Sequence, residues 1–166
     1  STQAFCRDYL TDEPAEFEVR ITREDILYET ERSVQESIRE GLTPQRYSDS
    51  YLETLAVYRK IVERLLEYDI FLFHGSVVAV DGEGYLFTAQ SGTGKSTHTS
   101  LWRRHFGPRA VMVNDDKPLL RVTSDGVQVC GTPWDGKHRL STNITVPLKA
   151  ICILRRGEVT RIRPIA

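Results

Sequence analysis

The chain has no apolar run approaching the ~20 residues that a membrane-spanning helix needs. Its apolar stretches, such as Ile70–Phe73, are strand-sized. Cysteine is scarce. Cys6, Cys130 and Cys152 are an odd number without paired spacing. That argues against a disulfide framework and against a CxxC-type zinc site, and it reads as three reduced thiols of a cytoplasmic protein. Charge of one sign is not in excess: 22 basic side chains face 23 acidic ones, for a formal net charge of −1. A nucleic acid or an anionic membrane surface is therefore not an expected partner. Low complexity and internal repeats are absent. The opening STQAFCRDYL has no basic region followed by an apolar one, so no signal peptide is expected there.

What remains is an ordinary globular composition, 40% apolar and 27% charged, over 166 residues. That length suits one domain, or one domain with an appendage. The expected division is an N-terminal strand-containing appendage at 1–47 and a larger domain at 48–166. In the appendage, Phe17, Val19 and Ile21 alternate with polar residues and predict a strand. Ile26 and Tyr28 suggest a second strand. Glu31–Glu40 suggests a short exposed helix or a loop.

From Ser48 to Tyr68 apolar residues recur at three- and four-residue steps, including Leu52, Leu55, Ala56, Ile61, Val62, Leu65 and Leu66. This predicts an amphipathic helix, started by Ser48, Asp49 or Ser50. Next come FHGSVVAV, the turn signal DGEG and YLFTA, which predict a hairpin with strands near 75–80 and 84–89. A helix over Ser96–His105 is closed by Gly107 and Pro108. Strands are expected at Ala110–Asn114, Leu119–Thr123, Val127–Cys130, Ala150–Leu154 and near Val159–Ile162.

The most informative segment is YLFTAQSGTGKSTHT, residues 85–99. A strand enters a glycine-containing loop, and Lys-Ser-Thr opens a helix. Gly92 and Gly94 allow backbone conformations that a Cβ hinders. Loop N–H groups can then turn toward phosphate oxygens, and the helix start adds further N–H groups and positive dipole. Ser91, Gly92, Thr93, Gly94, Lys95, Ser96 and Thr97 are thus the candidate nucleotide-binding residues. Lys95 would reach the β- and γ-phosphates and Ser96 would ligate Mg²⁺. The motif G-x-x-x-x-G-K-[ST] is met except at its first position, which here is Ala89.

About twenty residues beyond Lys95, a predicted strand ends in Asn114, Asp115 and Asp116. Strand C-termini gather near the phosphates in nucleotide-binding α/β folds. One carboxylate there would hold Mg²⁺ and another would accept the proton of an attacking hydroxyl. Which aspartate does which is not readable. Adjacent strand residues point to opposite faces, so both serve one side only if the chain bends there.

Three features together resemble one family: HG ahead of a strand, a hairpin feeding SGTGKST, and NDD after the next helix. This looks like the catalytic domain of HPr kinase/phosphorylase and, more distantly, PEP carboxykinase, over roughly residues 70–165. The resemblance implies an α/β fold with a P-loop-containing mixed sheet and flanking helices. It implies ATP- and Mg²⁺-dependent transfer of the γ-phosphate to a hydroxyl of a protein serine, a peptide or a small molecule. Matched by position, His74 lies near the active site, Lys95 and Ser96 serve phosphate and Mg²⁺, and Asp115 and Asp116 supply the metal ligand and the acid or base. Ala89 departs from the family pattern, as do residues 1–69 and the stretch GTPWDGKHR, which occupies the region of a later family signature. With 92 residues after His74, the catalytic domain is expected to be C-terminally incomplete. Homo-oligomerisation, and ATP versus GTP preference, stay open. The alternatives are a small-molecule kinase on the same scaffold and a domain that binds nucleotide without turnover.

Weaker signals lie in the loop after Cys130. Trp134, Lys137 and Arg139 are candidates for touching substrate or stabilising charge, and Asp135 for a further metal contact. His98 is expected to pack or to support a site residue from behind, Trp102 to pack on the buried face of the helix, and His105 to favour the helix C-terminus.

Overall fold

The computed structural model describes residues 2–39, 41–136 and 138–165. The chain forms two compact units, Ser1–Phe71 and Leu72–Ala166. The amphipathic helix predicted from Ser48 to Tyr68 lies in the first of these units.

The first unit is helical: α1 (Thr2–Phe5), α2 (Arg23–Arg39) and α3 (Asp49–Leu65), followed by a 3₁₀ turn at Leu66–Tyr68. Two of the sequence expectations are corrected here. Residues 17–21 form no strand, although their exposure alternates as a strand's would. Alternation reports an extended run with one sheltered side; a strand also needs a partner to accept its ladder bonds. Ile26 and Tyr28 lie in α2, not in a second strand. Local capping explains this outcome. The Thr22 amide donates to Asp25 Oδ2 at 2.8 Å, while the Asp25 amide donates back to Thr22 Oγ1 at 3.4 Å. That reciprocal arrangement is a helix-start signature with Asp in the place of Glu. The stretch from Glu31 to Arg39 continues the same helix, and Glu40 lies outside the described residues.

At α3 the cap is Ser48, whose side chain accepts from the Tyr51 amide. Helices α2 and α3 pack together. Arg59 joins them through Asp25 at 3.0 Å and Glu29 at 2.7 Å, and also binds Glu63 at 3.1 Å within its own helix. Lys60 adds a second cation on Asp25 at 2.8 Å.

The second unit is built on a mixed sheet. Strand β1 (Ile70–Leu72) lies at the division, and the second unit holds β2 (Ser76–Val80), β3 (Glu83–Thr88), β4 (Ala110–Asn114), β5 (Leu119–Thr123), β6 (Gly126–Cys130) and β7 (Thr145–Ile153). Their order is β1-β5-β6-β7-β3-β2-β4. The fold is thus α/β, a seven-stranded mixed sheet with flanking helices. The expected hairpin is present, β2 lying antiparallel to β3 with Val78 opposite Tyr85. Strand β4 pairs antiparallel with the other edge of β2, and β7 pairs parallel with β3. Every residue of β2 is buried, as its run of valines requires. The expected strand near Val159–Ile162 does not form. Val159 and Ile162 are exposed, with no ladder to join.

One helix, α4 (Lys95–Phe106), follows β3 and is closed by Gly107. It packs back on β2 and β4. Trp102 holds it to β3, with ring centroids 5.0 Å from Tyr85 and 5.1 Å from Phe87. His98 packs 4.6 Å from Phe87, and burial pushes its imidazole pKa down. Both therefore pack as expected, and His105 occupies the last turn of the helix.

Candidate functional site

Strand β3 ends at Thr88, the loop runs over residues 89–94, and α4 begins at Lys95. Gly92 and Gly94 adopt φ values of 73° and 113°, the left-handed region where a side chain strains the backbone. Gly94 caps α4 without any side-chain cap bond, and the first helical bond runs from the His98 amide to the Gly94 carbonyl at 2.9 Å. The amides of Lys95, Ser96 and Thr97 precede that bond, so helix geometry gives them no acceptor within the helix. Lys95 folds back across the loop, its Nζ donating to the Ala89 carbonyl at 3.2 Å. Ser96 and Thr97 are exposed.

The acidic pair lies where β4 ends, and the bend needed there is made by Asn114. This side chain is fully buried. Its Oδ1 accepts from the amides of Asp116 at 2.9 Å and Lys117 at 2.6 Å, turning the chain. Its Nδ2 donates to the Thr132 carbonyl and hydroxyl and to the Trp134 carbonyl, fixing the loop after β6.

The two carboxylates consequently have different surroundings. Asp115 is buried, and its Oδ1 accepts from Ser76 Oγ at 2.6 Å. Ser76 in turn lies 2.8 Å from Thr99 Oγ1 on α4. Asp116 is half-buried, with His74 Nε2 at 3.4 Å and Lys117 Nζ at 3.8 Å. Burial pushes the Asp116 carboxyl up. The hydrogen bond from His74 and the charges of Lys117, His74 and Lys95 outweigh it and hold the group below the usual carboxylate range.

Ser96 and Asp115 line one cleft of about 600 Å³, together with Thr97, Ser100, Arg103 and His138. This joins two of the three residues singled out in sequence as metal ligands, while Asp116 is not among the residues that line it. The cleft wall near Asp115 is tight, because a Cβ on Gly136 would meet Asp115 Oδ2 at 3.0 Å. Among the described residues no three His, Cys, Asp or Glu side chains gather as a metal cage. The donors on hand are oxygens, as Mg²⁺ prefers, and such sites leave the remaining positions to water and phosphate.

The loop after β6 carries the remaining candidates. Trp134 is 8% exposed, a packed residue, and Arg139 is exposed with φ 47°. From this loop it is His138 and Leu140 that line the cleft. Asp135 accepts from the Ser141 amide at 2.9 Å, which braces the loop. Lys137 lies outside the described residues.

Sequence reading missed Ser76, Thr99, Asn114 and Gly136. A serine and an asparagine at the ends of otherwise apolar strands were the available signals. Gly136 gave no signal, since its neighbour is twenty-one positions away in the chain. The fold and site together define an α/β chain with a glycine-bearing strand–loop–helix facing two carboxylates. No protein-family model matches the chain. No curated protein matches it either.

Proposed function

We propose that this chain is an ATP- and Mg²⁺-dependent phosphotransferase of the HPr kinase type, moving a γ-phosphate to a hydroxyl. The observation that carries the reading is the cleft shared by Ser96 and Asp115 at the mouth of a glycine loop that Lys95 spans. The free amides of residues 95–97 and the Lys95 ammonium would bind the polyphosphate. Ser96 and the Asp115 oxygen not bonded to Ser76 would hold Mg²⁺, which supplies neutralisation of phosphate charge when bound. Ser76 keeps the other Asp115 oxygen engaged and so fixes the direction of the carboxylate.

Asp116 is the proton acceptor in this reading. The acceptor oxygen attacks the γ-phosphorus, the bond from that phosphorus to the β–γ bridging oxygen breaks, and the hydroxyl proton passes to the Asp116 carboxylate. His74 keeps that carboxylate ionised and oriented. Most of the acceleration would come from positioning and charge stabilisation.

The test uses γ-labelled ATP, Mg²⁺ and a cell extract, with Lys95→Ala and Asp115→Asn/Asp116→Asn proteins alongside. Label transferred by the wild type and lost in both variants supports the reading and exposes the acceptor. Equal labelling by the variants removes it. Binding without loss of the γ-phosphate points instead to a nucleotide-sensing domain.

A further inference from the structure

A second cleft, of about 630 Å³, opens on the other side of the glycine loop. Its walls are Ala89–Thr93 and Ile153–Arg156, and it shares no lining residue with the cleft of Ser96 and Asp115. The topology explains why it exists. Strands β3 and β7 are parallel neighbours, with Thr88 opposite Ile153, so both leave the sheet at the same end. The Leu154 amide extends the pairing by one bond to the Thr88 carbonyl at 2.9 Å. Beyond it the two chains part, one into the glycine loop and the other into Arg155 and Arg156. A crevice outside the carboxyl ends of parallel strands is where α/β sheets bind ligands.

The chemistry of the crevice is mixed. Ile153 is 48% exposed and offers an apolar surface. Arg155 and Arg156 add two guanidiniums, and among the described residues neither has a carboxylate partner within ion-pair distance. Arg156 is nevertheless not loose, because its Nη2 donates to the Gly92 carbonyl at 2.8 Å. A planar cation pinned beside an apolar floor suits a flat aromatic ring, on which guanidinium stacks. The cavity size falls within the range of small-molecule sites.

We infer that this crevice holds the nucleoside end of the triphosphate, with Arg156 and Ile153 against the base. The nucleotide then lies across the glycine loop, its base on the β7 side and its γ-phosphate on the Asp115 side. The inference rests on the phosphotransferase reading and adds a direction to it.

Calorimetric titrations of the whole chain with Mg-ATP and with inorganic tripolyphosphate separate the two ideas. The variants are Arg156→Ala and Ile153→Trp, the latter filling the crevice from an exposed position; melting temperatures check that both fold. The wild type should bind ATP more tightly than tripolyphosphate. Each variant should lose roughly tenfold to a hundredfold in ATP affinity, the worth of one stacked base. Their tripolyphosphate affinity should stay as in the wild type. Equal binding of the two ligands by the wild type overturns the inference. So do variants that leave ATP binding unchanged, or that weaken both ligands alike, which would mean that Arg156 only shapes the loop. Failure of the wild type to bind either ligand removes the phosphotransferase reading itself, and this assignment with it.

Discussion

Ser76 Oγ donates to Asp115 Oδ1 at 2.6 Å, tying the first residue of β2 to the acid that follows β4. Both side chains are buried, and Asp115 lines the cleft. Ser76→Ala should destabilise the chain by about 1.5–3 kcal/mol, the range for a hydrogen bond to a charged group. Urea unfolding measures this. A midpoint equal to that of the wild type would mean the bond is not formed in solution.

Gly136→Ala tests the same carboxylate from its other side. The added Cβ would stand 3.0 Å from Oδ2 and 3.3 Å from Cγ of Asp115, so the acid must shift by a few tenths of an ångström. Phosphotransfer should fall by up to about 10²-fold, as misplaced catalytic groups do. Nucleotide affinity should change much less. Steady-state rates at saturating ATP show whether the loss sits in turnover.

Lys95→Ala removes the ammonium that crosses the loop to Ala89. Nucleotide binding should weaken roughly tenfold to a hundredfold, matching about 1.5–3 kcal/mol for charge-assisted bonds. The melting temperature should move little, since the lost internal bond is to one half-sheltered carbonyl. Unaltered affinity in a nucleotide titration counts against the phosphate-loop reading.

The Asp116 carboxyl is held below its ordinary range, so it is ionised across the neutral region. Its contribution to stability is complete above the unfolded value, about 3.9, and is lost as pH falls through the lower folded value. His74→Ala removes the hydrogen bond and raises the folded value toward the unfolded one. The acid limb of turnover should therefore move to higher pH in that variant. An acid limb that stays in place would separate His74 from Asp116.

In the first unit, Arg59→Met removes the cation shared by Asp25 and Glu29. Glu29 is 4% exposed, and leaving it unpaired should cost about 1–3 kcal/mol. Lys60, the Thr22 bonds and Arg59 hold Asp25 well below the usual carboxylate range. Stability from that group is thus present above about pH 3.9 and lost as pH falls further. Helix content followed by circular dichroism during acid titration reads the effect, and an acid transition unchanged by Arg59→Met would rule out the brace.

The residues themselves fixed much of the second unit. Apolar runs about the DGEG turn, a two-glycine loop and a Gly-Pro stop put β2, β3, α4 and β4 within a residue or two of their places, because these signals act between neighbours in the chain. Apolar-run length likewise argued against a membrane-crossing helix, and no described helix is long and apolar enough to cross. Only the folded chain decided the rest. Whether residues 17–21 and 159–162 became strands depended on partners that composition cannot name. The joining of Ser76, Asp115 and Gly136, and of Gly92 with Arg156, spans 21 to 64 positions of sequence. Such contacts follow from strand order and register, which local periodicity does not encode.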